Sequence, residues 1–458
     1  MNKKTKISVI LVVIFIVCLP ITSILIKNTI TDIQDELVSL NNLETSGRTS
    51  YTNEWLEDSE FDDPNAWNIR IASESPLPDV LGAIGSGQGN MKVIGEQHVY
   101  NESWDFTNAT EREEWEVDTR PKWAYSTPNI NASQVYPQSF GNDSRGLWAS
   151  HEWEEGADQI AVVNWNNTIE LPHDMSDYNI TSASLRATFN ASVQITEANN
   201  GIDVLSDPTS YSQTGDFARF FVLISDPEYI NHNEAAFNQT SELGRDSPPY
   251  GEITDGVITG KDDLIEYINR ALEYDFRNIT LSVGIYIKCE DNWPTDYDYW
   301  DLLSIKGLDF SFNYEKRIDK GTIIEFNQEG EDISGDNIDI TGASLKFEYQ
   351  LNKNWTEKSE FSQIKILINN NSFGDPIFLS EYNSEGFIPA NPEGGFDLED
   401  LIPINQNITL QLQLYLANTF YLTDNITVSI DKVSLVISYD VITPNVFYEE
   451  PWFNLAIF

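Results

Sequence analysis

Between residues 180 and 439 the chain repeats itself, and this limits its fold more than any single residue does. Ile180-Thr181-Ser182-Ala183-Ser184-Leu185-Arg186 returns as Ile340-Thr341-Gly342-Ala343-Ser344-Leu345-Lys346. Asn278-Ile279-Thr280-Leu281 returns as Asn407-Ile408-Thr409-Leu410, and the run Ser304–Tyr314 returns as Ser429–Tyr439. Three anchors in one order mean one unit present twice. The period is far longer than the roughly 20–50 residues of solenoids and propellers, so the unit is domain-sized.

Both copies alternate apolar and polar residues with period two. Leu185–Val193, Phe217–Ile224, Ile279–Ile287, Leu308–Tyr314, Leu345–Leu351, Ile364–Ile368, Ile408–Leu416 and Val433–Tyr439 read as strands between loops rich in Asn, Asp, Gly and Pro. A short helix is predicted over 262–272, with a counterpart near 397–402. The expected fold is therefore all-β, with tandem antiparallel jelly-roll β-sandwiches following an N-terminal transmembrane helix. The expected segments are a cytoplasmic tail (1–6), an anchor (7–26), a helical stalk (27–48), a first sandwich with a Trp-rich N-terminal elaboration (49–315), a second sandwich (316–442) and an aromatic tail (443–458). Residues 49–157 show no evident second copy.

Lys3, Lys4 and Lys6 precede an uncharged run from Ile7 to Ile26, which as a helix spans roughly 30 Å, the thickness of the bilayer's hydrocarbon core. A cleaved signal peptide is the alternative, but the run is long for one and no Ala-x-Ala-like site follows. The lysines before the span and the acids after it (Asp32, Asp35, Glu36) put the N-terminus in the cytoplasm and the bulk outside the cell. Ile26, Ile30, Ile33, Leu37 and Leu40 form an a/d seam that suits either a short oligomerising stalk or one amphipathic helix lying on the first domain. The tail Pro451–Phe458 suits docking on the chain's own sandwich or on a neighbour, the latter a second route to homo-oligomers.

With a net charge of −46, nucleic acid is excluded as a partner and anionic lipid surfaces are disfavoured. At 40% hydrophobic and 12% aromatic the chain is no disordered acid. Cys18 and Cys289 cannot form a disulfide outside the membrane. Glycosylation sequons stand at Asn101, Asn108, Asn131, Asn142, Asn166, Asn179, Asn190, Asn238, Asn278, Asn354, Asn370, Asn407 and Asn425, as in a surface glycoprotein.

Ser59-Glu60-Phe61-Asp62-Asp63-Pro64-Asn65-Ala66-Trp67 and Ile430-Asp431-Lys432-Val433-Ser434-Leu435 resemble the opening and closing strands of galactose-binding-like, carbohydrate-binding jelly-roll modules, here in an archaeal-type cell-surface glycoprotein. The resemblance implies a structural calcium near Glu60 and Asp431, which are expected to lie in different modules and so not to share a site. In the first copy Lys306 takes the Asp431 position.

Sugar rings stack their C–H faces on aromatic rings while their hydroxyls pair with acids and amides. Trp115, Trp123, Trp153, Trp293, Tyr297, Tyr299 and Trp300 are the candidate ligand-binding residues, densest in the acidic run from Asp291 to Trp300. Asp291, Asp296 and Asp298 in that run could also hold calcium, a hard cation suited to oxygen ligands. Large aromatics that plug sandwich edges are the competing explanation for each ring.

No catalytic motif is present. His98, His151, His173 and His232 are scattered, and no Gly-x-Ser-x-Gly or Walker sequence occurs. His151-Glu152-Trp153-Glu154-Glu155 leaves glycoside hydrolysis as a minor alternative. The expectation is a membrane-anchored extracellular glycoprotein that recognises glycans or other surface proteins without catalysis. A structural subunit of a surface coat or filament is its rival.

Overall fold

The computed structural model describes residues 48–119, 130–132, 144–154, 159–194, 217–240, 250–289 and 297–443. The expected anchor lies outside them, as do the stalk and the aromatic tail apart from Arg48 and Thr443. Among the described residues no helix is long and apolar enough to cross a membrane.

The fold is all-β. Its strands are β1 (Arg48–Glu54), β2 (Asn68–Ala72), β3 (Val80–Gly85), β4 (Gln88–Val93), β5 (Gln97–Asp105), β6 (Glu116–Asp118), β7 (Ile130–Ala132), β8 (Leu147–Glu154), β9 (Gln159–Glu170), β10 (Tyr178–Gln194), β11 (Phe217–Ser225), β12 (His232–Thr240), β13 (Tyr250–Thr259), β14 (Asn278–Cys289) and β15 (Tyr297–Ile318). They continue as β16 (Ile323–Gly330), β17 (Ile338–Leu351), β18 (Gln363–Ile368), β19 (Asn371–Ser372), β20 (Ile377–Phe378), β21 (Ile388–Pro389), β22 (Phe396–Asp397), β23 (Ile408–Tyr415), β24 (Phe420–Leu422) and β25 (Ile426–Ile442). Among the described residues helices are confined to α1 (Ala109–Arg112), α2 (Leu264–Ala271) and single 3-10 turns. α2 is the helix expected at 262–272, while its counterpart is only a turn over Glu399–Leu401.

Four antiparallel sheets make two sandwiches. In the first, the sheet β13-β10-β15-β8-β7 faces β12-β11-β14-β9-β6; in the second, β21-β17-β25-β4-β3 faces β19-β18-β23-β16-β2. The period-two pattern builds these faces. Along β25, Val428, Ile430, Val433, Leu435 and Ile437 point into the core while the residues between them are half-exposed or, at Lys432, exposed. Each sandwich closes on its own apolar core, one centred on residues such as Trp165, Phe189, Phe220 and Phe310, the other on Phe61, Phe326, Leu345, Leu412 and Leu435.

The sheet orders show that the units are nested rather than successive. β5 lies on β15 as β1 lies on β25, and β6–β9 occupy the places of β2, β3, β4 and β16. The first sandwich is thus inserted between the fourth and fifth strands of the second. The expected grouping of residues 49–93 with the first sandwich does not follow this pairing, because β1 and β4 hydrogen-bond to β25, β2 to β16 and β3 to β4. The stretch that showed no second copy is therefore two copies side by side. Asp58, Phe61 and Trp67 correspond to Asp105, Phe106 and Trp115. In one, Phe61 stacks on Trp67 at 4.6 Å; in the other, Phe106 meets Trp115 edge-on at 5.2 Å.

Two links join the sandwiches, residues 94–96 and 319–322. β15 runs past the first unit to pair Lys316, Arg317 and Ile318 with β24 of the second. Lys316 and Asp79 are both buried there, with Nζ 2.8 Å from Oδ1. Asp79 Oδ2 also accepts from Asp319 N, Thr322 Oγ1 and Ser73 Oγ, each at 3.0 Å. Asp177 of the first unit, 3.9 Å from Lys316, accepts from Leu77 N at 2.9 Å and from Ser75 Oγ.

Candidate binding groove

The chain enters and leaves the second sandwich at one end, where β1 pairs Arg48 with Ile442. A groove of about 480 Å³ opens there between the end of β1, the outer half of β25 and the turn after β16, within the roughly 300–1,000 Å³ of small-molecule sites. Trp55 forms one wall. Its backbone continues the pairing by donating to Leu435 O at 2.8 Å, and its indole Nε1 donates to Glu331 O at 3.2 Å. The ring lies across Gly330, where a Cβ would stand 2.4 Å from Trp55 Cζ2. With its indole donor occupied, the half-buried Trp55 is anchored as part of the groove's lining.

Tyr439 lines the same groove and stacks on Tyr51 at 5.2 Å. The rim is acidic. Glu54 is committed to Leu435 N (2.8 Å) and Ser434 Oγ (2.5 Å), and Glu329 to Asn407 Nδ2 (2.7 Å). No Lys, Arg or His among the described residues pairs with Glu57, Glu331 or Asp332, so their oxygens face solvent as acceptors. The arrangement suits a ligand with an apolar face and hydroxyl or ammonium donors, and repels anions.

The same end of the first sandwich is closed. Tyr314, in the position of Tyr439, meets His173 Nδ1 through its hydroxyl at 2.7 Å, and His173 stacks on His98 at 4.3 Å. His98 Nε2 and the Tyr178 hydroxyl lie 3.2 and 3.1 Å from Glu96 Oε2. The hydrogen bond from His98 holds the Glu96 carboxyl below its ordinary value, and burial followed by the neighbouring His98 lowers the His173 imidazole. Burial raises both tyrosine hydroxyls. This cluster borders the junction with the second sandwich.

The candidates expected from sequence fare differently. Trp115 and Trp300 are core residues, 2% and 0% exposed, and cannot stack on a ligand. Trp115 is enclosed edge-on by Trp104 and Phe106 because it sits directly before β6 on the inward side. Residues 297–300 begin β15 instead of completing a loop, pairing Tyr297, Asp298, Tyr299 and Trp300 with Glu154, Trp153, Glu152 and His151. Trp123, Trp293, Asp291 and Asp296 lie outside the described residues.

Glu60 and Asp431 belong to the same sandwich, not to different ones, since Val433 N donates to Ser59 O at 2.9 Å. Lys432 stands beside both. Its Nζ is 2.9 Å from Glu348 Oε2, and that bond, with Asp431 and Glu60 adding to it, raises the ammonium's pKa. Among the described residues no group of three or more His, Cys, Asp or Glu could hold a metal ion. The motif at 59–67 is instead a turn, built on Asp58, whose carboxylate accepts from Glu60 N, Asp62 N and Asp63 N at 3.1–3.2 Å. Among the sequon asparagines, Asn101, Asn108, Asn354, Asn370, Asn407 and Asn425 are exposed, and Asn166, Asn179, Asn190, Asn238 and Asn278 are half-buried.

Trp55, Glu331 and Tyr439 carried no sequence signal of their own, being brought together across the inserted sandwich.

No family model matches the chain, and no curated protein does. Among solved structures it is similar to a protein of Parabacteroides distasonis described as secreted, at 10% identity over 85% of this chain and 99% of that one, with a TM-score of 0.22. It is also similar to carbohydrate-binding modules of the β-sandwich superfamily, at 9% identity over 57% and 97%, with a TM-score of 0.20. At these scores the likenesses carry no argument about function.

Proposed function

We propose that the protein is a non-catalytic recognition protein of the cell surface that binds carbohydrate in the groove at Trp55. The observation that supports this is the indole itself, half-buried, pinned through Nε1 and lining the groove beside carboxylates with no cationic partner among the described residues. A pyranose ring would lie on Trp55 with its hydroxyls donating to Glu57, Glu331 or Asp332. Their charge restricts the ligand to neutral or amino sugars. The run–up in sequence of anchor and sequons gives the setting, with residues 7–26 in the membrane and the sandwiches outside. Calcium enters this reading only at Asp291, Asp296 and Asp298, because Lys432 supplies the positive charge beside Glu60 and Asp431. A glycan array probed with residues 48–458 tests the reading. Saturable binding to neutral or amino sugars that is lost in Trp55→Ala is expected, and binding unchanged in that variant removes the groove from the function.

One observation favours a second reading, assembly. The end of the first sandwich that corresponds to the groove is the end seated against the second sandwich. A further copy seated in the groove would extend the series as a filament or coat. Light scattering of the same protein separates the two, since assembly predicts concentration-dependent growth that Trp55→Ala abolishes.

A further inference from the structure

A second cleft, of about 460 Å³, lies on the first sandwich beside the bulge where β10 and β15 slip register at Thr188. Trp104, Asp105, Arg186, Thr188, Lys306 and Gly307 are among its lining residues. The nested repeat shows why it is open. Gly307 and Thr188 occupy the positions of Lys432 and Glu348, which in the second sandwich form an ion pair at 2.9 Å. The first copy has glycine and threonine where the second has these two long side chains, so the space they fill there is vacant here.

The cleft also differs from the Trp55 groove in charge, since its three carboxylates, Asp105, Asp255 and Asp309, are joined by two cations. Only 27 residues of the chain are Lys or Arg, and two of them, Arg186 and Lys306, line this one cleft. Lys306 Nζ donates to Ser144 O at 3.2 Å. Arg186 is exposed, and the Asp309 carboxylate lies 4.0 Å from it, beyond hydrogen-bonding distance, with Asp309 itself taken by Ser103 Oγ at 2.6 Å. The flat guanidinium fork therefore has donors to offer, and a carboxylate is the group it matches in two parallel bonds.

We propose that this cleft is a second saccharide site, selective for a sugar bearing a carboxylate, a hexuronate. The uronate carboxylate pairs with Arg186, its hydroxyls face Asp105 and Thr188, and Gly307 forms the floor. The proposal rests on the carbohydrate-binding reading above and makes the protein bivalent, with an acidic sugar on the first sandwich and a neutral or amino sugar on the second.

Transplanting the second copy's residues tests it. Saturation-transfer NMR is run with a glucuronic-acid disaccharide and with glucose and glucosamine disaccharides on the wild-type ectodomain, on Gly307→Lys with Thr188→Glu, on Arg186→Gln and on Trp55→Ala. Because the second sandwich carries Lys and Glu at these places, the double variant is expected to fold, which its thermal melt verifies. Transfer to the glucuronide is expected in wild type and in Trp55→Ala, to vanish in the double variant, and to weaken at least about tenfold in affinity in Arg186→Gln, the equivalent of about 1.4 kcal/mol. No transfer to the glucuronide in wild type, or equal transfer in the double variant, overturns the proposal. Loss of the glucose or glucosamine signal in Trp55→Ala reports on the groove separately.

Discussion

Lys316, near the end of β15, places its ammonium 2.8 Å from the Asp79 carboxylate of the neighbouring sandwich, and neither residue reaches solvent. This pair joins two domains whose apolar cores are separate but for Ile318, which the end of β15 delivers to the second core. Removing one member strands the other's charge in a low-dielectric site, which costs about 3–5 kcal/mol when a buried pair is broken. Lys316→Met is expected to lose stability in that range by urea denaturation. Lys316→Met with Asp79→Asn is expected to lose less than the single change, since no unpaired charge remains at position 79. Equal losses in the single and double variants would show that the charge pairing is not what holds the junction.

The nesting predicts an asymmetry between the halves. Residues 97–318 contain every strand of the first sandwich and are expected to fold alone. Residues 319–442 lack β1–β4, and with them Phe61, Trp67, Val80, Met91 and Val93 of the core, so they are expected to be unfolded. The second sandwich should be recovered by joining residues 48–96 to 316–442 through a short Gly/Ser linker, because Lys316 N donates to Glu96 O at 2.9 Å and the ends are adjacent. Far-UV circular dichroism and amide spectra of the three fragments check this.

Acid should loosen the junction. His173 has a lowered folded pKa, so the unfolded chain binds protons more readily, and its contribution is complete above the ordinary value of 6.5 and declines as pH falls below it. Glu96 is likewise lowered, so its contribution is complete above 4.5 and is lost as pH falls through its depressed folded value. Both have the same sign. The melting temperature is expected to fall on acidification from about pH 7, and His173→Gln should flatten the part of that profile just below the ordinary histidine pKa. An unchanged profile in the variant would assign the acid sensitivity elsewhere.

Gly330 is expected to admit no side chain while Trp55 holds its place. Gly330→Ala puts a methyl within the indole's radius, so Trp55 fluorescence and sugar binding should change together while the melt shifts by about 1–3 kcal/mol, the usual cost of overpacking. Binding retained with altered fluorescence would mean that the Trp55 face is not the ligand platform.

Asp58 offers a check on the motif read as a calcium neighbour. Its buried carboxylate satisfies three backbone N–H groups of the turn that delivers Phe61 and Trp67 to the core. Asp58→Ala should cost at least about 1–3 kcal/mol through donors left without an acceptor. Calcium should not restore it.

Much of the architecture was legible locally. Period-two runs such as Ile408–Tyr415 and Val433–Tyr439 are strands because alternate residues must leave water, and that rule acts within a few neighbours. The duplication was legible wherever both copies kept the same residues, as at Leu185 and Leu345. It was hidden in residues 48–154, where the copies adjoin and share mainly Asp58 and Asp105, Trp67 and Trp115. The same density of tryptophan that suggested ligand platforms proved at Trp115 and Trp300 to be core, because a ring's side of the sheet depends on register, which composition does not encode.

Sequence by itself determined the strand content, the presence of two like units, the uniform negative charge and the residue types available for binding. Only the tertiary structure decided which strands belong to which unit, that one sandwich interrupts the other, and that Trp55 meets Glu331 and Tyr439. The reason is physical. Alternation records whether a residue faces a core, and every core in this chain asks for the same apolar residues, whereas the choice of partner strand is made by hydrogen bonds and packing between segments hundreds of residues apart.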